Sequence, residues 1–289
     1  MHIVTGAAGF VGSNMVAYLN SQGHKDIICA DTLNPHKVAN LAGLEFEDFI
    51  HPSELLSRDL SKDTVWHLGA NSKTSSNDWD SIYQSNVMYT RQLLETATDI
   101  VFASSASVYG DNEDTEEVSS NAAPKNMYAA TKMMCDNILA KASGKTQSWR
   151  FFNVYGNREQ HKVYAGMASP YSNFVHQAKT NSSIKLFRNS QSVHRDFICV
   201  DDVVKIMYET HMKIPTSFTC NLGTGNTYSF QNWGDLIAKT YGAKIIYIDV
   251  PEELKGIYQM YTRSNNTQLL KLIGDYKFIT PEEFVKANI

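Results

Sequence analysis

Tyr128-Ala-Ala-Thr-Lys132 sets a phenol and an ammonium four residues apart, a spacing that brings both to one face of a helix. A tyrosine that ionises near pH ~10 is a weak base at neutral pH and needs nearby positive charge to act as one. Lys132 supplies such a charge, and the ring of an oxidised nicotinamide supplies another. The same lysine can hold the hydroxyls of a nicotinamide ribose. Upstream, Ala103-Ser-Ser-Ala-Ser-Val-Tyr-Gly110 follows an apolar run and offers Ser105 as a hydrogen-bond partner for a reacting hydroxyl. Serine, tyrosine and lysine in this order describe hydride and proton transfer at an alcohol carbon. A Y-x-x-x-K spacing alone arises often by chance, so its meaning depends on the elements around it.

Hydride transfer calls for a dinucleotide, and the N-terminus has the residues for one. Gly6-Ala-Ala-Gly9-Phe10-Val11-Gly12 follows a short β-branched run at residues 2–5. It opens a stretch in which Val11, Met15, Val16 and Leu19 recur at helical spacing. Glycines at such a turn let backbone N–H groups approach a pyrophosphate at the helix N-terminus. Asp31, with Thr32 beside it, closes the next apolar run, where a carboxylate binds an adenosine 2′-hydroxyl and favours NAD. Lys37 lies a few residues on, where a flexible cation would instead hold the 2′-phosphate of NADP. The segments Asp59-Leu60 and His67-Leu68-Gly69-Ala70-Asn71, continued by Ser72, supply two further cofactor contacts or are ordinary turns.

These residues need a scaffold that alternates strands with helices. Apolar runs at 2–5, 26–30, 64–68, 100–103 and 148–152 read as strands, and 9–20, 82–97 and 128–140 as the helices between them. That order predicts an α/β fold, a doubly wound parallel Rossmann sheet with helices on both faces. Past Asn153 a polar loop runs to about Ser169. A helix near 171–179, short strands near Lys185 and Phe197, a helix at 201–212 capped by Asp201, a strand at 218–222 and a helix at 230–241 follow. The division expected is a dinucleotide-binding domain over 1–155, with returning segments near 197–225. The remainder, 156–289, is a smaller interwoven region for substrate.

A net charge of -4 gives no basic excess, which argues against a nucleic-acid partner. The four cysteines form no C-x-x-C pair and no zinc-ligand spacing, and are read as idle thiols in a reducing compartment. No apolar run approaches the ~20 residues of a membrane span, and no secretory leader is recognisable. The expectation is a cytoplasmic protein with no membrane partner and no metal.

The glycine loop, the Ser-Ser-Ala-Ser-Val-Tyr-Gly string and Y-x-x-x-K resemble extended short-chain dehydrogenase/reductases acting on nucleotide sugars. Phe151-Phe-Asn-Val-Tyr-Gly-Asn-Arg-Glu-Gln-His-Lys162, Met167-Ala-Ser, Lys185-Leu-Phe187, Arg195-Asp-Phe, Asn221-Leu-Gly-Thr-Gly225 and Leu254-Lys-Gly-Ile-Tyr-Gln259 are similar to strings of the ADP-L-glycero-D-manno-heptose 6-epimerases. That resemblance implies epimerisation at C-6″ of an ADP-heptose by transient oxidation, with two acid/bases, Tyr128 and Lys162. It also implies cofactor contacts from Asn86, Lys37 and Val154, which favours NADP while leaving NAD open. Asn153, Phe187, Ser190, Arg195 and Tyr258 would meet the nucleotide sugar, and the protein would be a homo-oligomer.

The chain departs from the family pattern in four places. Two extra residues lie between Lys162 and Met167, Gly166 replaces a serine, Asn173 replaces a histidine, and no second basic residue stands near Pro52. Another nucleotide-sugar epimerase, such as a 4-epimerase, shares Ser105, Tyr128 and Lys132 without needing Lys162. A 4,6-dehydratase would need carboxyl groups where Ala106 and Ser107 stand. A non-catalytic NADP-binding sensor would not need to retain the serine, tyrosine and lysine together.

Overall fold

A computed structural model describes residues 1–73, 78–252 and 259–289. Seven strands form one parallel sheet in the spatial order Phe218–Leu222, Lys145–Phe151, Asp99–Ser105, Thr64–His67, His2–Thr5, Ile27–Ala30, Asp48–Ile50. Every pairing between neighbours is parallel, as the alternation of strands and helices requires. The first strand has Ile27–Ala30 on one side and Thr64–His67 on the other. Strand order therefore reverses there, and the crevice beyond the carboxyl ends of these strands is where ligands of such sheets bind.

The strands alternate their side chains between two buried faces. Val4, Cys29, Trp66 and Trp149 join Met15 and Leu19 of the helix Phe10–Ser21 in one core. Ile3, Ile28, Val65, Ile100 and Phe102 join Leu93, Cys135 and Leu139 in the other. Each such side chain, fully removed from water, contributes about 1.5–3 kcal/mol. A third core, around Tyr155, Phe174, Leu186, Trp233 and Phe284, lies under the C-terminal half.

The expected helix at 128–140 is Met127–Leu139, capped by Asn126, whose side chain accepts from Ala129 N–H. The expected helix at 82–97 is interrupted. α-Helix at Trp79–Tyr83 passes through a π-helical turn at Gln84–Met88 into α-helix at Tyr89–Thr96. The helix expected to begin under an Asp201 cap begins instead at Val200, with Cys199 in the capping position and no side-chain cap. Asp201 and Asp202 sit in its first turn, where acidic side chains suit the helix dipole. Asp202 also accepts from Tyr276 Oη (2.8 Å) and Ile279 N (2.8 Å), which ties down the C-terminal segment. Strand Ser183–Phe187 pairs with Lys244–Ile248, and Phe197–Cys199 with Asn153–Tyr155. Among the described residues no helix is long and apolar enough to cross a membrane, and no His/Cys/Asp/Glu group could hold a metal.

Candidate active site

Gly6 ends the first strand with φ +67, in the left-handed region that favours glycine. A Cβ placed on Gly12 would lie 2.0 Å from Gly6 O, and one on Gly6 would lie 2.6 Å from Gly69 Cα. The helix Phe10–Ser21 therefore starts hard against the loop, and the turns after two neighbouring strands touch. Gly9 caps that helix without a side chain, leaving its first N–H groups to serve a ligand.

Gly6, Gly9, Phe10, Val11 and Gly12 line a cavity of about 200 Å³. Asp31 and Lys37 line it as well, and so do Leu68, Gly69, Ala70 and Ser72. Tyr128, Lys132 and Lys162 reach the same space, with Ala103, Ser104, Phe151 and His161. Thr32 is exposed beside it and donates its N–H to Asp31 Oδ1 (2.7 Å). The other carboxylate oxygen of Asp31 accepts from Ala8 N (3.0 Å), and Lys37 Nζ bonds Oδ1 at 2.9 Å.

Tyr128 and Lys132 face the end of the strand Asp99–Ser105. Ser105 hydrogen-bonds the Tyr128 phenol and also accepts from Ser107 N (3.2 Å). Burial pushes the phenol up to about 12, only partly countered by Ser105. Lys132 Nζ donates to Ala103 O at 2.6 Å and stands 4.4 Å from the Phe102 ring centre. Burial lowers its pKa to about 8. The ammonium is fixed and stays charged at neutral pH, and the buried phenol needs a further positive charge nearby before it can ionise there.

Lys162 lies in the short helix Gln160–Tyr164, within the stretch expected to be a polar loop. Its Nζ is 5.3 Å from the Phe10 ring centre, and burial lowers its pKa against the opposing pull of Glu159. Glu159 is 3% exposed, and it is what holds this segment. Its carboxylate accepts from Ser169 N (2.9 Å), Ser169 Oγ (2.6 Å) and Ser172 Oγ (2.6 Å), at the start of the helix Pro170–Asn181. Both ends of the excursion 159–169 are thereby pinned. The two extra residues fall after Lys162, and Met167 N closes back on Lys162 O at 2.9 Å. On the other flank Asn40 Nδ2 donates to Ala8 O (3.0 Å) and to His161 Nδ1 (3.0 Å), while Arg158 donates to Asn40 O. The segment is thus docked on the glycine loop.

Asn86 has its side chain turned to the protein. Its Oδ1 accepts from Asn71 N (2.8 Å), and its Nδ2 donates to Asn71 O (3.1 Å) and Thr131 Oγ1 (3.0 Å). Val154 packs on the core in the strand Asn153–Tyr155. Asn153 Nδ2 donates to Asp196 O (3.1 Å) and Thr262 Oγ1 (3.2 Å). Arg195 is 7% exposed and stands 5.8 Å from the Phe230 ring centre. Phe187 and Ser190 line a second cavity, about 430 Å³, with Asn173, Phe174, Lys185 and Phe230. Tyr258 lies outside the described residues.

Three residues that organise the site have no role that the sequence predicts: Asn40, Glu159, which stands within the Phe151-to-Lys162 string, and Asp196. Asp196 is fully buried, and its carboxylate accepts from Thr224 N (2.8 Å), Thr224 Oγ1 (2.8 Å), Gly225 N (2.9 Å) and Ser264 N (3.0 Å). It thereby fixes the backbone next to Arg195 and Asn153. The one sequence signal was its place inside the Arg195-Asp-Phe string. A larger cavity of about 700 Å³ lies among loops including 113–115, 224–226 and 263–266, and none of the expected site residues lines it.

A doubly wound parallel sheet with a glycine turn at its switch point defines the class of dinucleotide-binding α/β proteins. Residues 2–223 match the NAD dependent epimerase/dehydratase family, and the chain belongs to that family. It is 35% identical over 306 aligned residues, 99% of this chain and 96% of the relative, to ADP-L-glycero-D-manno-heptose-6-epimerase of Brachyspira hyodysenteriae. Its backbone matches ADP-L-glycero-D-manno-heptose-6-epimerase of Helicobacter pylori with a TM-score of 0.86 at 24% identity, covering 99% of this chain and 94% of that one. UDP-glucose 4-epimerase of Thermotoga maritima matches with a TM-score of 0.82 at 22% identity, covering 99% and 96%. At these structural identities the likeness establishes the fold.

Proposed function

We propose that this protein interconverts the two C-6″ epimers of ADP-glycero-manno-heptose with a bound nicotinamide dinucleotide. The observation that carries the reading is a second lysine, Lys162, in the same cavity as Tyr128 and Lys132. The full-length likeness to the Brachyspira relative supports the substrate class. The cavity suits a dinucleotide, because Gly9 caps the helix Phe10–Ser21 without a side chain, its first backbone N–H groups are left for a pyrophosphate, and the close approach of backbone at Gly6 and Gly12 leaves no room for a side chain. Held by the glycine loop and Lys132, a bound dinucleotide would supply the hydride acceptor and donor that oxidation and re-reduction at C-6″ require.

The chain must then supply a proton acceptor on each face. Tyr128, drawn toward ionisation by the oxidised ring's charge, takes the hydroxyl proton of one epimer and returns it on reversal. Lys162, its pKa lowered by burial, is the matching group for the other epimer. Ser105 holds the reacting oxygen through both half-reactions. Lys132, anchored on Ala103 O, holds the nicotinamide ribose. Asn153, Phe187, Ser190 and Arg195 bind the nucleotide end, where a guanidinium gives a diphosphate paired, charge-assisted bonds, and Tyr258 closes the site. In this reading residues 1–155, with the segments near 197–225, serve the cofactor, and 156–289 chiefly serve the substrate.

NADP is the preferred form. The carboxylate of Asp31 is paired with Lys37, a flexible cation that would meet a 2′-phosphate. Asn86 acts on the cofactor by holding the Asn71 turn, with Val154 and Thr32 at its margins. A cytoplasmic homo-oligomer is the accompanying expectation.

The test is direct. Purified protein incubated with ADP-D-glycero-D-manno-heptose is expected to give both epimers, resolved chromatographically. No conversion, together with conversion of a UDP-hexose, would overturn the assignment in favour of a 4-epimerase. Tyr128→Phe and Lys162→Met, followed by single-turnover reduction of bound NADP with each epimer, are expected to slow opposite half-reactions, each variant with one epimer only, by about 10²–10⁴-fold. Equal losses on both epimers would contradict the two-base division.

A further inference from the structure

Beneath the two touching glycine turns runs a buried polar chain that the proposed chemistry leaves unused. Gly69 N donates to Thr5 Oγ1 at 3.1 Å, and Thr5 Oγ1 lies 2.8 Å from His67 Nδ1. His67 Nε2 lies 3.0 Å from Thr90 Oγ1, which donates to Asn86 O at 2.7 Å. A threonine hydroxyl has one proton, and a carbonyl can only accept. The Thr90 proton is committed to Asn86 O, so His67 Nε2 must be the donor to Thr90. The imidazole then carries its proton on Nε2 and presents a lone pair at Nδ1. Thr5 fills that lone pair with its own proton, and its oxygen is left to accept from Gly69. Each proton has one place.

The chain continues beyond Asn86. Its Nδ2 donates to Thr131 Oγ1 (3.0 Å), and Thr131 Oγ1 donates to Tyr128 O (2.8 Å). Asn86 occupies the π-helical turn, an irregularity frequent at functional sites. Thr5, His67, Asn86, Thr90 and Thr131 are all buried, where a missing hydrogen bond is costly and a complete network is rigid. Burial and the Lys132 charge press the His67 pKa down to about 3, consistent with a permanently neutral ring.

We infer that His67, neutral and protonated on Nε2, is a positioning residue that couples the dinucleotide turn at Gly69 to the helix carrying Tyr128. Gly69 is the point of leverage. Its contact with Gly6 sets the spacing of the two turns that floor the cavity, and Thr5 holds its N–H. The inference rests on the dinucleotide site alone, so it survives if the sugar proves to be a different one.

Nitrogen-15 correlation spectra of histidine-labelled protein read the tautomer directly. His67 is expected to show a proton on Nε2, a bare Nδ1, and no titration between about pH 5 and 8. A proton on Nδ1, or titration in that range, would overturn the assignment. In parallel, NADP and NAD are titrated into dinucleotide-free protein. Thr5→Val and His67→Phe are expected to weaken binding roughly tenfold, the loss of one buried hydrogen bond. His67→Asn, which restores an acceptor near the Nδ1 position, is expected to return to within about threefold of the parent. Unchanged affinity in Thr5→Val and His67→Phe, or no rescue by His67→Asn, would show that the ring only fills space. The tautomer measurement uses the unsubstituted chain and stands even if a variant fails to fold.

Discussion

Asp31 and Lys37 form a pair 2.9 Å apart, and the carboxylate is only 8% exposed. An isolated carboxylate there would repel a 2′-phosphate, so the proposed preference for NADP rests on the lysine. Lys37→Met is expected to weaken NADP binding by about 10–100-fold and to leave NAD binding within a few-fold, because only NADP has the charge that Lys37 meets. Titrating both cofactors into wild type and variant checks this, and equal losses would remove Lys37 from the specificity argument. The placing of Tyr128, Lys132 and the glycines about one cavity was legible in the sequence because local geometry fixes their spacing. An i, i+4 pair must share a helix face, and a glycine string between strand and helix has few other uses. Glu159 and Asn40 were not legible. Their partners, Ser169, Ser172, Ala8 and His161, are brought to them by the fold, and no spacing records that.

At the level of elements, the five sheet strands with long apolar runs were readable, and so was the strand returning at Phe218–Leu222. Asp48–Ile50 was not: it is three residues long, lies at the sheet edge and buries only Ile50, so it has too little pattern to detect. The π-helical turn was invisible for another reason. Its apolar spacing is that of an ordinary amphipathic helix, and only tertiary demands on Asn86 separate the two. The start of Phe10–Ser21 makes a sharper claim. Gly12→Ala would set a Cβ 2.0 Å from Gly6 O, a backbone atom that cannot swing aside. Relief requires the loop to open, at about 1–3 kcal/mol of strain, hence dinucleotide binding weakened by roughly 10–100-fold. Calorimetric titration of NADP into Gly12→Ala reads this, and parent-like affinity would mean that the loop adjusts without disturbing the cradle.

For the molecule as a whole, buried titratable groups set how stability follows pH. Burial lowers His2 and His161 to about 4 and His67 to about 3. Below its unfolded value of ~6.5 a histidine of the unfolded chain takes up a proton that the folded chain refuses. The unfolded state therefore binds more protons, and stability falls as pH drops from about 6.5 toward the folded values. Glu159, Asp196 and Asp202 act in the opposite sense: burial raises their carboxyls, so their folded-state penalty is relieved as pH falls. The net slope mixes both kinds, but a difference between variants isolates one group. His67→Gln removes a ring that is 1% exposed and leaves every carboxylate in place. Between about pH 4 and 6 the unfolded wild type binds about one more proton than the folded protein at His67, and the variant has no such site. Stability from urea unfolding should therefore fall with decreasing pH about 1.4 kcal/mol per pH unit more steeply in wild type than in His67→Gln. Parallel slopes would mean that His67 protonates in the folded protein near its ordinary value. Water would then reach the ring, and the Nε2–H assignment beneath the dinucleotide floor would fall with it.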